Sequence, residues 1–329
     1  MRFEGFETFL VSAFPTLGIE NMSEKYFIIT IDTEGDNQWD HSKDPSTKNA
    51  KYLPRFQELS EKYAFFPVWL TNYEMASDPF FVEYMQDRLK AGTCEIGMHL
   101  HAWHNPPEYH LEKKTNQRSY LIEYPEEIMD QKIGYLTNLL ENTFQTKMIS
   151  HRSGRWTTND IYFKLLKKYG YKVDCSVTPL VNWEACLGES GVPGSDYSRC
   201  PSKPYCIYDD LWEVPVTIKY LHDFCIDRAH SIKGFAKEIK WALKGRNEWI
   251  RPDASCSFLK MKKVLDASRD SEYVMFMLHS SEMMPGGSPS FPNEICVDKL
   301  FGCIERIFDY AKGLGYKGIT LADYQKLLK

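Results

Sequence analysis

The sequence lacks a long apolar run, a strong excess of charge of one sign and any CxxC pair of cysteines. Nothing approaches the roughly 18 apolar residues that a membrane span needs. Glu4 and Glu7 interrupt the N-terminal stretch, where a secretory leader would be apolar. A net charge of −5 over 329 residues, with no basic stripe that could track phosphates, argues against nucleic acid as a partner. We therefore expect a cytoplasmic protein without a membrane span.

The nine cysteines are an odd number, and their spacing gives little support for a structural zinc site built on thiolates. Free thiols are the expected state, with one question left open by Cys186, Cys200 and Cys206, which share one loop. Hydrophobic residues make up 43% of the chain and charged residues 26%, which is typical of a globular protein with a sizeable core.

Short apolar runs alternate with helical patterns along most of the chain, as in parallel β/α architectures. We predict strands at Tyr26–Asp32, Phe65–Thr71, Cys94–His99, Met148–Arg152, Tyr171–Ser176, Leu211–Thr217 and Tyr273–His279, and a short one at Gly318 and Ile319. Apolar spacing of three and four predicts helices at Leu53–Tyr63, Pro79–Ala91, Glu126–Phe144, Asn159–Tyr169, Ser231–Leu243 and Asn293–Leu314.

This order of elements predicts an α/β fold, specifically a distorted, incomplete (β/α)7-type barrel of parallel strands. We expect one domain over residues 1–329, with its core at about 26–328. The stretch 179–210 is rich in Gly, Pro, Ser and Cys and is expected to be an inserted surface loop. Residues 248–257 are interpreted as a second loop.

Three histidines lie within six positions in the run GMHLHAWH. His99 and His101 are two residues apart, so a continuing strand places both imidazoles on one face, as a metal ion requires. His104 could join them if the chain turns into a helix.

Three acids follow the first predicted strand in the run TIDTEGD. Asp32 and Glu34 project to the same side of a strand end, and Asp36 follows the flexible Gly35. A hydrolytic metal site needs such a carboxylate together with an open coordination position. An acidic surface turn is the alternative interpretation.

Two further runs end predicted strands. SHRSGRW contains Arg152 and Arg155, and MFMLHSSEMM delivers His279 to the tip of an apolar strand. A histidine in that position is well placed for proton transfer. A core histidine with a satisfied hydrogen bond would be the simpler interpretation if it stood alone.

Together these four runs resemble the polysaccharide deacetylase family, the NodB-homology group of carbohydrate esterases, and particularly a divergent, intracellular-looking branch. The resemblance spans about residues 26–328. It implies that Asp32 is the catalytic base and that Glu34 binds the metal, although the family commonly has two adjacent aspartates. The family's metal-binding histidines are four apart, whereas this chain has Trp103 and Asn105 at those positions.

We accordingly assign the metal site to Glu34, His99 and His101, with His104 or Asp36 as substitutes. The resemblance further implies that Arg152 holds Asp32 and that His279 protonates the leaving amine. Asp174 would orient His279. The implied cofactor is a divalent metal ion, with zinc as the first candidate. The implied reaction removes an acyl group, N-acetyl above all, from an amino sugar or glycan precursor of bacterial surface-glycan synthesis.

Three tryptophans lie close in sequence to these groups and are candidates for stacking on a sugar ring: Trp39, Trp103 and Trp156. The loop with Trp183 could cover the site. The competing functions are a glycan-binding protein that has lost turnover, an amidohydrolase-type metal hydrolase and a non-haem iron oxygenase. The sequence leaves open the sugar, the acyl group, the metal and the oligomeric state.

Overall fold

The computed structural model describes residues 24–36, 38, 45–229 and 231–328. Trp39 therefore lies outside the described residues. The strands found in these ranges are β1 (Tyr26–Thr33), β2 (Pro67–Thr71), β3 (Glu95–Leu100), β4 (Ser150–Ser153), β5 (Val173–Asp174), β6 (Tyr205–Tyr208), β7 (Leu211–Glu213), β8 (Ile218–Leu221), β9 (Arg246–Trp249), β10 (Tyr273–His279) and β11 (Lys317–Gly318).

The main sheet is a curved set of parallel strands in the order β10, β1, β2, β3, β4, β5 and β7, and the predicted incomplete barrel is confirmed. Apolar and β-branched residues dominate β1 and β10, which are buried along nearly their whole length, as expected of parallel strands covered on both faces. β11 pairs with β1, and β6 adds an antiparallel strand beside β7.

No backbone ladder joins β10 to β7 among the described residues, so the barrel has a seam there. Two hydrogen bonds cross it instead. The Tyr273 hydroxyl donates to the carbonyl of Pro215 at 2.5 Å, and the backbone N–H of Met275 donates to Thr217 Oγ1 at 2.8 Å. The backbone N–H of Met277 also donates to the carbonyl of Ile250 at 3.3 Å, so isolated hydrogen bonds close this edge of β10 in place of a ladder.

The helices are α1 (Leu53–Lys62), α2 (Tyr73–Ala76), α3 (Pro79–Lys90), α4 (Glu126–Phe144), α5 (Asp160–Lys168), α6 (Ile232–Lys244), α7 (Phe258–Asp266), α8 (Glu294–Gly313) and α9 (Leu321–Gln325). The apolar faces of α1 and α8 pack against β1 and β10 through a cluster of rings: Phe27, Phe56, Phe65, Phe276 and Phe308. Among the helices described, none combines the length and apolar composition needed to cross a bilayer.

Several elements differ from the sequence prediction. The stretch 179–210 contains β6, and β8 and β9 form a separate two-stranded antiparallel sheet that carries α6. Helix α7 lies where no helix is predicted from the sequence. Its N-cap is Ser257, whose side chain accepts a hydrogen bond from Lys260 N. The strand expected at Tyr171–Ser176 shortens to two residues.

Candidate metal centre and active site

The carboxyl ends of four parallel strands meet at one edge of the barrel. Register pairs Asp32 of β1 with His279 of β10, and His99 of β3 with Arg152 of β4. These four side chains come from distant parts of the sequence, and the sheet alone brings them together. Ligand sites in parallel β/α folds lie at this edge.

Glu34, His99 and His101 form a buried group suited to a metal ion. The two Nε2 atoms lie 3.0 Å apart, and Glu34 Oε2 lies 3.2 Å from His101 Nε2 and 3.8 Å from His99 Nε2. Donor atoms bound tetrahedrally at zinc distances are separated by about 3.3 Å. The three side chains therefore already have the spacing of a coordination site.

The hydrogen bond at His99 fixes which of its ring nitrogens is free. Its Nδ1 donates to the backbone carbonyl of Arg152 at 3.0 Å, so Nε2 presents a lone pair toward Glu34 and His101. His101 Nδ1 is buried without a hydrogen-bond partner among the described residues. Burial lowers the pKa of both imidazoles to about 4, so both are neutral near pH 7, the form that binds metals.

Glu34 is a buried carboxylate that needs a cation. Burial raises its pKa to about 7, against the opposing effect of the nearby His279 and His99. Its backbone is held by Ser280, whose hydroxyl oxygen accepts from Glu34 N at 2.9 Å, and by Asn49, whose amide donates to Glu34 O at 2.7 Å. The two facing Nε2 lone pairs and this carboxylate fit a divalent ion.

The substitute ligands lie outside this group. Asp36 Oδ1 accepts from the Ser46 hydroxyl at 2.5 Å. His104 closes a turn after β3, in which its backbone N–H donates to the carbonyl of His101 at 3.3 Å. Within the described residues, the group able to hold a metal comprises Glu34, His99 and His101 alone.

Asp32 is paired with a buried arginine. Arg152 Nη1 donates to Asp32 Oδ1 at 2.5 Å, and the guanidinium is fixed by Thr30 Oγ1 at 2.9 Å and by the Cys175 carbonyl at 3.0 Å. Burial alone would raise the pKa of Asp32, but the Arg152 guanidinium, aided by His99 and His279, holds it well below its usual range. Asp32 is therefore ionised at neutral pH.

His279 lies opposite the same carboxylate, with its Nε2 3.7 Å from Asp32 Oδ2. Its Nδ1 lies 3.2 Å from Glu282 Oε2, and Arg251 Nη2 contacts both oxygens of Glu282 at 2.8 and 3.0 Å. Burial would lower the pKa of His279, but the hydrogen bond to Glu282 and the charges of Glu34 and Glu282 raise it. Burial opposes the ionisation of Glu282, yet Arg251 and His279 lower its pKa to about 2.

The expected contact between Asp174 and His279 is not the one observed. Asp174 Oδ1 lies 2.6 Å from His151 Nδ1 and accepts from the Ser176 hydroxyl at 2.8 Å, in a fully buried network. The carboxylate that contacts His279 is Glu282. Its signal in the sequence was the three-residue spacing from His279, since Glu282 also accepts from the His279 backbone N–H at 3.0 Å, as in a capping box.

A cavity of about 410 Å³ opens over these groups. Trp103 and Trp156 line it, and residues 179–210 contribute Trp183 and Cys186 to its wall. The Trp103 ring stacks on His101 with centroids 4.3 Å apart. The Trp156 ring lies 5.0 Å from the Arg152 guanidinium carbon.

The turn after β4 has an unusual backbone. Arg155 and Trp156 have φ values of 57° and 66°, the left-handed region that side chains other than glycine rarely adopt. The Arg155 guanidinium secures the turn by donating to the carbonyls of Arg118 and of Leu187, the latter at 3.0 Å. Strain held in this way is typical of functional sites and here it aims the Trp156 ring into the cavity wall.

Comparisons with known proteins support the fold. No protein-family model matches the sequence, and neither does any curated protein. The chain is similar to a 4-alpha-glucanotransferase from Thermococcus litoralis, with 12% identity over 93% of this chain and 38% of that one and a TM-score of 0.51. At this identity the similarity shows the fold alone.

Two further solved structures match over 92% of this chain. One is a proposed polysaccharide deacetylase from Mycobacterium smegmatis, with 14% identity, 95% of that chain covered and a TM-score of 0.49. The other is a CE4-family pseudoenzyme from Bacillus anthracis, with 9% identity, 66% of that chain covered and a TM-score of 0.42. Structures assigned to polysaccharide deacetylases are thus among those that match.

Proposed function

We propose that this chain is a metal-dependent hydrolase that removes an acyl group, N-acetyl in the first instance, from an amino sugar or glycan precursor. One observation carries the proposal: a Glu–His–His group with coordination spacing lies beside two differently charged proton carriers, Asp32 and His279. This combination suits metal-assisted amide hydrolysis, in which one group takes a proton from water and another gives a proton to the departing nitrogen.

Glu34, His99 and His101 would hold the ion, for which we propose zinc. When bound, it supplies Lewis-acid polarisation of the amide carbonyl and lowers the pKa of water. The chain itself supplies the neutral imidazoles, since burial keeps the pKa of His99 and His101 at about 4. His99 is oriented by the backbone of Arg152, so the metal group and the Asp32 pair share one support.

Asp32 acts as the general base. Arg152 keeps its carboxylate ionised through a charge-assisted hydrogen bond and fixes the direction of Oδ1, leaving Oδ2 toward His279. A water proton is accepted by the free oxygen of Asp32 as the water oxygen bonds to the acyl carbon.

His279 acts as the general acid. The carboxylate of Glu282 favours its protonated form and holds Nδ1, so Nε2 is the atom that donates a proton to the amine nitrogen as the C–N bond breaks. Proton transfer of this kind contributes about 10²–10⁴-fold to the rate. Arg251 positions Glu282 by contacting both of its carboxylate oxygens.

The walls of the cavity suit a sugar. Trp103, Trp156 and Trp183 line it, and flat aromatic faces stack on the apolar face of a pyranose ring. A volume of about 410 Å³ accommodates a small ligand. Trp39 remains a further proposed sugar contact.

The test is metal content followed by acyl release. We expect about one zinc or similar ion per chain, and acetate release from N-acetylglucosamine oligomers. The double variant His99→Ala/His101→Ala should lose the metal and the activity while its circular dichroism spectrum is unchanged, whereas the control His104→Ala should keep the metal. A metal-loaded chain that binds these oligomers but releases no acetate from them would be a glycan-binding protein instead.

A further inference from the structure

Helix α6 presents its apolar side chains to solvent. Ile232, Phe235, Ile239 and Leu243 are spaced three, four and four residues apart and so form one stripe along the helix, which we name the α6 patch. All four are exposed, Ile232 by 91% and Leu243 by 77%. In a helix that packs on a core, this stripe would be the buried face.

A basic stripe runs beside the α6 patch. Lys233, Lys237, Lys240 and Lys244 are spaced four, three and four residues apart and are all exposed. Their stripe is displaced by about 100° around the helix, since three of the four immediately follow a patch residue. Nearby ion pairs, such as Arg246 with Glu238 and Lys263 with Asp223, use other cations, and no ion pair among the described residues involves a lysine of this stripe.

A buried ion pair fixes this orientation. Glu238 is the buried residue of α6, and its two oxygens accept from Arg246 at 2.9 and 2.8 Å. Glu238 Oε2 also accepts from Cys225 N at 3.1 Å. Rotating the apolar stripe inward would remove this carboxylate from its three donors, so the outward face is specified by the rest of the structure.

Neighbouring segments extend the apolar surface. Ile226 and Tyr220 are 65% and 53% exposed. Phe224 contacts Phe235 edge-on with ring centroids 5.3 Å apart, and the Tyr220 hydroxyl donates to the carbonyl of Lys244. Contiguous exposed apolar surface of this kind marks an interaction site.

We propose that α6 docks this protein on a membrane surface that carries anionic lipid headgroups. A helix lying in the interface buries an apolar stripe at the acyl boundary and places flanking lysines among the phosphates. A second copy of the chain is a poorer occupant, because the only acid of α6 is the buried Glu238 and two such faces would oppose lysine to lysine. Docking uses no residue of the metal centre and is independent of hydrolysis.

The experiment is sedimentation of the full chain with vesicles of phosphatidylglycerol and phosphatidylcholine in equal parts, and with vesicles of phosphatidylcholine alone. We expect binding to the anionic vesicles, a sharp loss of binding as salt rises toward 1 M, where the screening length falls to about 3 Å, and little binding to neutral vesicles. Absence of binding to anionic vesicles at low salt overturns the proposal.

Two variants test the two stripes. Phe235→Ser/Leu243→Ser should weaken binding by about tenfold or more per residue, because each change removes an apolar side chain that would be buried in the membrane. The fourfold change Lys233→Gln/Lys237→Gln/Lys240→Gln/Lys244→Gln should weaken it by roughly fivefold per lysine. Both variants keep the buried pair and should retain the thermal unfolding transition.

The matched control removes the same charge elsewhere, at four exposed lysines outside α6: Lys90, Lys147, Lys164 and Lys326, each changed to Gln. We expect its binding to stay within about twofold of the wild type, because its net charge equals that of the α6 lysine variant. If the control variant lost as much vesicle binding as the α6 lysine variant, binding would depend on net charge alone and the proposal would be overturned. A lipid-free dimer abolished by Phe235→Ser/Leu243→Ser would overturn it in favour of self-association.

Discussion

Two regions each bury a carboxylate against an arginine, with different consequences. One is the rim, the edge of the barrel where the carboxyl ends of β1, β3, β4 and β10 meet, and the other is the β8–α6–β9 segment. At the rim, Arg152 keeps Asp32 ionised within reach of His279. In the segment, Arg246 holds Glu238 so that the opposite, apolar side of α6 faces outward. The same kind of contact thus serves chemistry in one region and orientation in the other.

The difference shows that the role of a buried carboxylate depends on the groups that surround it. Around Asp32 lie His99, His279 and Glu34, all of them titratable and all bordering the cavity. Around Glu238 lie a backbone N–H and Arg246, which also contacts Glu248. Four substitutions test this contrast, beginning with the largest expected effect.

Arg152→Met should produce the largest loss. Removing one member of a buried pair leaves the Asp32 carboxylate without its counter-charge, and we expect unfolding free energy to fall by about 3–5 kcal/mol. The catalytic efficiency kcat/KM for acyl release should fall by about 10³-fold. Urea denaturation and acetate release measure the two effects. Arg152→Lys should be intermediate, and full activity in Arg152→Met would remove the pair from the mechanism.

Glu282→Gln should act on His279. Its amide cannot supply the negative charge that raises the His279 pKa, so that pKa falls and the protonated imidazole is lost at lower pH than in the wild type. We expect kcat/KM to fall by about 10–100-fold and the basic limb of its pH profile to move toward lower pH. Glu294→Gln, at an exposed acid, is the control. An unmoved basic limb would contradict the role of Glu282.

Glu238→Gln should affect stability and leave catalysis unchanged. The hydrogen bonds from Arg246 to a charged acceptor weaken, and partial exposure of Arg246 moderates the loss to about 1–2 kcal/mol of unfolding free energy. Urea denaturation measures the loss, and hydrogen exchange of α6 amides should rise. A drop in kcat/KM of more than about threefold would mean that the two regions are coupled.

Leu243→Ala should have the smallest effect, within about 0.5 kcal/mol of the wild-type unfolding free energy, because its side chain is 77% exposed. The matched change Leu300→Ala, at a fully buried position of α8, should cost about 2–5 kcal/mol. Thermal and urea unfolding compare the two variants directly. A similar cost at both positions would mean that α6 packs inward in solution.

Much of the fold follows from periodicity. Apolar runs placed β1, β2, β3, β4 and β10 within about two residues, and the spacing of three and four placed α4 and α8. Parallel register then brings Asp32 beside His279 and His99 beside Arg152, a meeting that the order of strands implies. These features are local or repeat along the sheet, so the sequence contains them.

Other features depend on contacts between distant segments. Spacing predicted the helix at Ser231–Leu243 but carries no information on which face meets the protein, since Glu238 and Arg246 decide that. Both Asp174 and Glu282 lie near strand ends, and only the three-residue spacing of Glu282 from His279 favours it as the partner of that imidazole. Trp183 reaches the cavity only through the path of residues 179–210.

The seam between β7 and β10 has a consequence for how such a barrel tolerates change. Two hydrogen bonds to or from side chains and one backbone bond from Met277 N to Ile250 O close it, so lengthening the chain between Leu221 and Arg246 interrupts no ladder of the main sheet. An extra unit such as α6 can therefore be accommodated there while the neighbouring catalytic geometry is preserved, provided that Arg251 still returns to Glu282.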